Sequence, residues 1–258
     1  MSCSSISKSQ KWCNYLSKIN FVGPFLWVLF SLPSVVFGQI IPLAFWQGPP
    51  VVQWLQKAEG YTLSSISSLQ TAAFVAAPTS GHLIVCDIEY GGSTSNIQSV
   101  SDSNGNTYMA ALDILGAEGG DRMAIYYKEN VVGGGGANTV KVTVTLNSAR
   151  TFVEIGCHEF SGVPLSGTLD HFGSGGTATA TSSITTGPIQ SIYNKEFVFA
   201  HMAASNSGGA GAGFTSISTL NGNSTEFMTV RWPANTNVLF TQSPAGGWEA
   251  VFATFRSL

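Results

Sequence analysis

From Thr71 onward, apolar and polar residues alternate with period two. Asn138 to Leu146 (NTVKVTVTL) sets Val140, Val142, Val144 and Leu146 on one face and Lys141, Thr143 and Thr145 on the other. That alternation describes a half-buried strand. His82 to Tyr90 (HLIVCDIEY) reads the same way, with Ile84, Cys86, Ile88 and Tyr90 on one side. So do Arg122–Asn130, Thr151–Phe160, Glu196–Ala204 and Gly247–Phe255. Turn signals punctuate these runs: Gly91-Gly92, Asn104-Gly105, Gly119-Gly120, the glycines at 133–136, Gly208-Gly209 and Asn221-Gly222. Asn-Gly between apolar runs is a hairpin cue. No window supports a capped amphipathic helix. The pattern predicts an all-β protein, a single two-sheet antiparallel sandwich over residues 57–258. The stretch GSGGTATATSS at 173–183 reads as a long loop plus an edge strand.

The N-terminus breaks the pattern. Lys8, Lys11 and Lys18 precede an uncharged run, FVGPFLWVLFSLPSVVFG, at 21–38. A basic head, an apolar block and small residues at Val36 and Gly38 describe an export signal cleaved before Gln39. The rival is a retained membrane anchor, for which the run is just long enough, although Pro24 and Pro33 interrupt it. Either way the remainder is exported, to the cell surface, the extracellular space or the periplasm. Residues 39–56 form an apolar, proline-containing lead-in that includes a first edge strand and docks on the domain.

Charge narrows the function classes. Charged residues make up 10% of the chain, against about 25% in ordinary domains. Removing the three leader lysines from the eleven basic residues leaves eight against fourteen acids, a net of −6. No basic footprint exists for a nucleic acid. Coiled coils and charge-driven disorder are excluded too.

The ordered segments SGHLIVCDIEY (80–90), SVSDSNGNTYMAAL (99–112), AIYYKENVVGGGGANTVKVTVTL (124–146), FVEIGCHEFSGVPLSGTLD (152–170), EFVFAHMAA (196–204), GAGFT (211–215) and WEAVFATFRS (248–257) carry a resemblance. Over about residues 52–258 the chain resembles a family of secreted bacterial β-sandwich domains, jelly-roll-like and of unassigned function. The resemblance implies export and a jelly-roll-like fold. It carries over no catalytic residues, and Cys86 and Cys157 stand where an aliphatic residue is more usual.

Several groups offer chemistry. Cys86 and Cys157 outlast the leader, and in an exported chain they can bridge. Their mid-strand positions among aliphatic residues favour two buried thiols. Asp102, Asn104 and Asn106 offer oxygens at alternate positions, as at the start of a calcium loop. Asp113 stands where such a loop needs Glu, so a turn is favoured and no cofactor is expected. His82, His158, His171 and His201 show no zinc spacing. Asp87 and Glu89 share a strand face and could serve as a glycosidase carboxylate pair; the plainer expectation is a solvated face. Glu154 and Glu159 face oppositely. No G-x-S-x-G or P-loop occurs.

Aromatic residues beside amides suit sugars. Trp232 with Asn235 and Asn237 is the first candidate, then Tyr90, Tyr126 and Tyr127; Trp248 reads as core. The expected function is a non-catalytic surface or extracellular adhesion module for a glycan or matrix protein. The alternatives are a structural subunit, self-associating through strand edges and the 39–56 arm, and a glycan-cleaving enzyme using Asp87 and Glu89.

Overall fold

The computed structural model describes residues 51–258 except 93, 118, 119, 191 and 232–236. The leader, most of the 39–56 arm, Trp232 and Asn235 therefore lie outside the described residues. The described chain is an all-β antiparallel sandwich without an α-helix.

Residues up to Ser161 form eight strands: β1 (Gln53–Thr62), β2 (Ile66–Gln70), β3 (Leu83–Gly91), β4 (Ile97–Asp102), β5 (Met109–Leu115), β6 (Asp121–Lys128), β7 (Val142–Arg150) and β8 (Val153–Ser161). They make a five-stranded sheet, β1-β8-β3-β6-β5, and a three-stranded sheet, β2-β7-β4. The rest supplies β9 (Leu169–Pro188), β10 (Lys195–Ala204), β11 (Ser207–Ala210), β12 (Thr215–Ser218), β13 (Ser224–Arg231) and β14 (Asn237–Arg256). These build the third sheet, β11-β14-β10-β13-β12, with β9 along β14.

Where the alternation predicts two sheets there are three, and the five-stranded one lies in the middle. The cause is visible in β3 and β8: all but the last residue of each is buried. One face of the middle sheet (Ile84, Ile88, Tyr90, Ile155) packs with Val142 and Val144 of the three-stranded sheet. Its other face (Val85, Ile125, Phe160) packs with Phe197, Phe199 and Phe255 of the third sheet. A third core lies on the far side of the third sheet, where Val198, Phe252 and Trp248 meet Phe240 and Ile184. It closes because β14 changes partner along its length, from β11 at Phe240–Ser243 to β10 at Trp248–Arg256, with a register break between Thr241 and Gly246.

Three boundaries move. β1 begins at Gln53, so the end of the lead-in belongs to the sandwich. The stretch 173–183 holds no loop; it is the middle of the twenty-residue β9, which pairs with β14 alone, so the edge-strand half of the expectation stands. The strand expected from Asn138 starts at Val142 and runs to Arg150.

Cys86 and Cys157 are joined by a disulfide, contrary to the favoured free thiols. They are direct cross-strand partners on β3 and β8 with Cα atoms 4.0 Å apart, a proximity that depends on register and not on either strand alone.

Candidate functional site

The second face of β3 carries Leu83, Val85, Asp87 and Glu89. Alternate residues of a strand return to the same side, so the two carboxylates follow the two aliphatic residues into the space between the middle and third sheets. This corrects the solvated face expected for them: Asp87 is 3% and Glu89 5% exposed. On β8 the matching face holds Glu154, Gly156 and His158, paired in register with Glu89, Asp87 and Val85. From the third sheet, β10 brings His201 down onto this layer.

Asp87 is the centre of a closed polar group. His158 Nε2 is 3.1 Å from its Oδ1, and His201 Nδ1 is 3.3 Å from its Oδ2. Burial acts to raise the Asp87 pKa, but the facing His201 and then His158 outweigh it, and the carboxyl is held below its ordinary value. His201 Nδ1 also lies 3.0 Å from Thr225 Oγ1. A lone pair on Nδ1 would confront the Asp87 carboxylate, so the ring proton belongs on Nδ1. Burial pulls the His201 pKa down, more than Asp87 restores it.

Glu89 and Glu154 are opposite each other across β3 and β8, an arrangement that costs energy when both are charged. Asn223 stands between them. It sits at the end of the turn linking β12 and β13, in which Asn221 (φ 51°) and Gly222 (φ 90°) are both left-handed. Its Oδ1 accepts the Ala204 N–H at 3.1 Å, which orients the amide. Its Nδ2 then donates to Glu89 Oε2 at 2.7 Å and Glu154 Oε1 at 3.2 Å. Burial, then repulsion from Glu154, Asp121 and Glu249, pushes Glu89 well above the usual carboxylate range. Burial, with Asp87 and Glu59 adding repulsion and Asn223 opposing it, pushes Glu154 up to about 8.

Glu89 is also the floor of an open cavity of about 610 Å³, walled by Asp121, Arg150, Phe152, Asn221 and Asn223. Phe152 is held at φ 66°, a conformation bulky residues rarely adopt, and meets Tyr61 edge-on with centroids 5.9 Å apart. A second cavity of about 250 Å³ shares Glu89 and Asp121 and is bounded by Trp248 and Glu249.

The expected site residues do not gather here. Tyr90 is wholly buried, against the three-stranded sheet, and its hydroxyl lies 3.0 Å from both Asp113 oxygens and accepts from Arg122 Nε at 3.1 Å. No ring face is left for a ligand. Tyr127 is core, edge-on to Phe255 at 5.5 Å, and Tyr126 is half-buried beside the first core. Asn237 opens β14 opposite Pro188. Trp248 is buried as expected. Asp102 makes a turn: Oδ1 accepts the N–H groups of Asn104 and Asn106, and Oδ2 accepts from Asn106 Nδ2 and the Tyr108 hydroxyl. Asn104 and Asn106 reach on to the backbone at 132–134. Sequence reasoning sets Glu154 and His201 aside, for opposite facing and absent zinc spacing, and does not place Asn223 in a site. The signal of the glutamate and the histidine is faint: polar residues inside strands that are apolar on both sides, as in VEIGCHEF and EFVFAHM, while Asn223 sits in a turn.

Comparison of the chain with protein-family models, with curated proteins and with solved structures found no match.

Proposed function

We propose that this chain is an exported, non-catalytic binding module and that its ligand is a hydroxyl-rich molecule of the glycan class. The observation that carries this is the cavity over Glu89. It offers carboxyl groups (Glu89, Asp121), an amide (Asn221), a guanidinium (Arg150) and an aromatic wall (Phe152) within one open space. Such a mixture matches sugars, which present hydroxyls at their edges and an apolar ring face. The uncharged 21–38 segment after three lysines supports export. The resemblance to secreted bacterial sandwich domains points the same way.

Cleavage of the glycan is the less supported reading. Asp87, half of the carboxylate pair on β3, has one imidazole against each oxygen. Glu89 and Glu154 converge on one amide instead of flanking a gap that could receive a glycosidic bond.

The test is a glycan array probed with the full chain and with Asn221→Ala and Phe152→Ala. Binding that falls at least tenfold in both variants supports the proposal. Turnover of a polysaccharide, lost in Glu89→Gln, would replace it with the enzyme. Polymers in sedimentation, with no glycan bound, would replace it with the structural subunit.

A further inference from the structure

Glu89, Glu154 and His201 each place one potential ligand atom within 4.8 Å of the other two. All three side chains are at least nine-tenths buried. The group would be only a cluster if its polar atoms were satisfied internally, and they are not. His201 Nε2 and Glu154 Oε2 are both buried without a hydrogen-bond partner. A buried acceptor left unpaired carries a desolvation penalty, and two at one place call for a common partner.

We infer that Glu89, Glu154 and His201 bind a divalent first-row transition metal ion, zinc being the probe, between the middle and third sheets. The donor set decides the class of ion. One imidazole and two carboxylates suit zinc, manganese or iron, whereas calcium takes six to eight oxygens. Bonds of about 2.0–2.2 Å hold ligand atoms roughly 3.0–3.5 Å apart, so atoms now within 4.8 Å of one another would draw together by up to about 1.3–1.8 Å.

The surroundings have the form a metal site requires. A ligating imidazole characteristically gives its other N–H to a carboxylate. His201 Nδ1 faces Asp87 in that way, and His158 braces the far oxygen of Asp87. Asn223 fixes both glutamates from the side. Glu89 lines both cavities, whereas Glu154 and His201 line neither, so an ion would reach the group from the Glu89 side. The inference stands whether or not a glycan enters the cavity.

The experiment is calorimetric titration of Zn²⁺ into the chelator-stripped full chain, with Glu154→Gln and His201→Gln. One equivalent is expected, its affinity falling at least tenfold in each variant. Asp87→Asn, a positioning change, should lower affinity about 10- to 100-fold. Melting curves without metal establish that each variant is folded. X-ray absorption at the zinc edge of the unaltered protein is the second readout and needs no variant. Nitrogen and oxygen neighbours near 2.0–2.1 Å, with imidazole scattering, are expected. A sulfur shell near 2.3 Å would assign the zinc to cysteines such as Cys3 and Cys13 and overturn the proposal. So would an affinity unchanged in both folded variants, or no binding at all.

Discussion

Gly156 lies directly opposite Asp87 across β3 and β8, and a Cβ on it would stand 2.9 Å from Asp87 Oδ2 and 3.0 Å from Oδ1. The glycine is the space that the carboxylate occupies. Asp87 has little room to yield, because each of its oxygens faces a histidine. Gly156→Ala should therefore cost about 1–3 kcal/mol, the usual range for overpacking a dense interior. Urea denaturation checks it, and a midpoint equal to that of the unaltered protein would mean that Asp87 moves aside without loss.

The disulfide closes a loop between residues 71 apart. Chain-entropy arguments give such a bridge about 4 kcal/mol, with measured cases spanning about 2–5. Cys86→Ala/Cys157→Ala should lower stability within that range, and reductant should do the same to the unaltered protein. Equal urea midpoints with and without reductant would contradict this.

Glu226 is fully buried on the far face of the third sheet, and burial pushes its pKa up to about 8 against one N–H donated by Gly211 at 2.9 Å. The unfolded glutamate ionises near 4.5. Its contribution is fully present below that pH and is lost as pH rises through about 8, because the unfolded chain gives up the proton first. The loss is of order 3–5 kcal/mol, since each tenfold change in an ionisation constant is worth about 1.4 kcal/mol. Glu226→Gln, neutral throughout, should flatten the melting-temperature profile between about pH 5 and pH 9. A slope as steep as that of the parent would exclude Glu226 as its source.

Tyr90→Phe should cost about 1–2 kcal/mol, since the hydroxyl bonds to charged Asp113 and Arg122. It should leave ligand affinity untouched, because the ring is inside the core. A change in affinity with stability preserved would restore Tyr90 as a contact residue.

Period-two alternation and turn chemistry made the strands legible: Asn221-Gly222 does turn β12 into β13, Asp102 does cap a turn, and Trp248 is core. Alternation reports which residues share a face, but not what covers that face. Asp87 and Glu89 looked solvated because carboxylates ordinarily mark the wet side of a strand. What buries them is a sheet built from residues beyond Ser161, together with His158 and His201 as partners. Neither the third sheet nor the convergence of Glu89, Glu154 and His201 exists in any local window. The disulfide was hidden for the same reason, since it is a property of the pairing between β3 and β8.

That pairing has a further meaning. A slip of one residue between β3 and β8 would turn one strand over. Glu154 and His158 would then point into the aliphatic layer, away from Asp87 and Glu89. Cys86 and Cys157 face each other only when the acids and histidines are also correctly matched. The bridge is therefore a proofreading mark: a chain that has closed it has aligned its polar site, and wherever the bridge stays oxidised that alignment is locked.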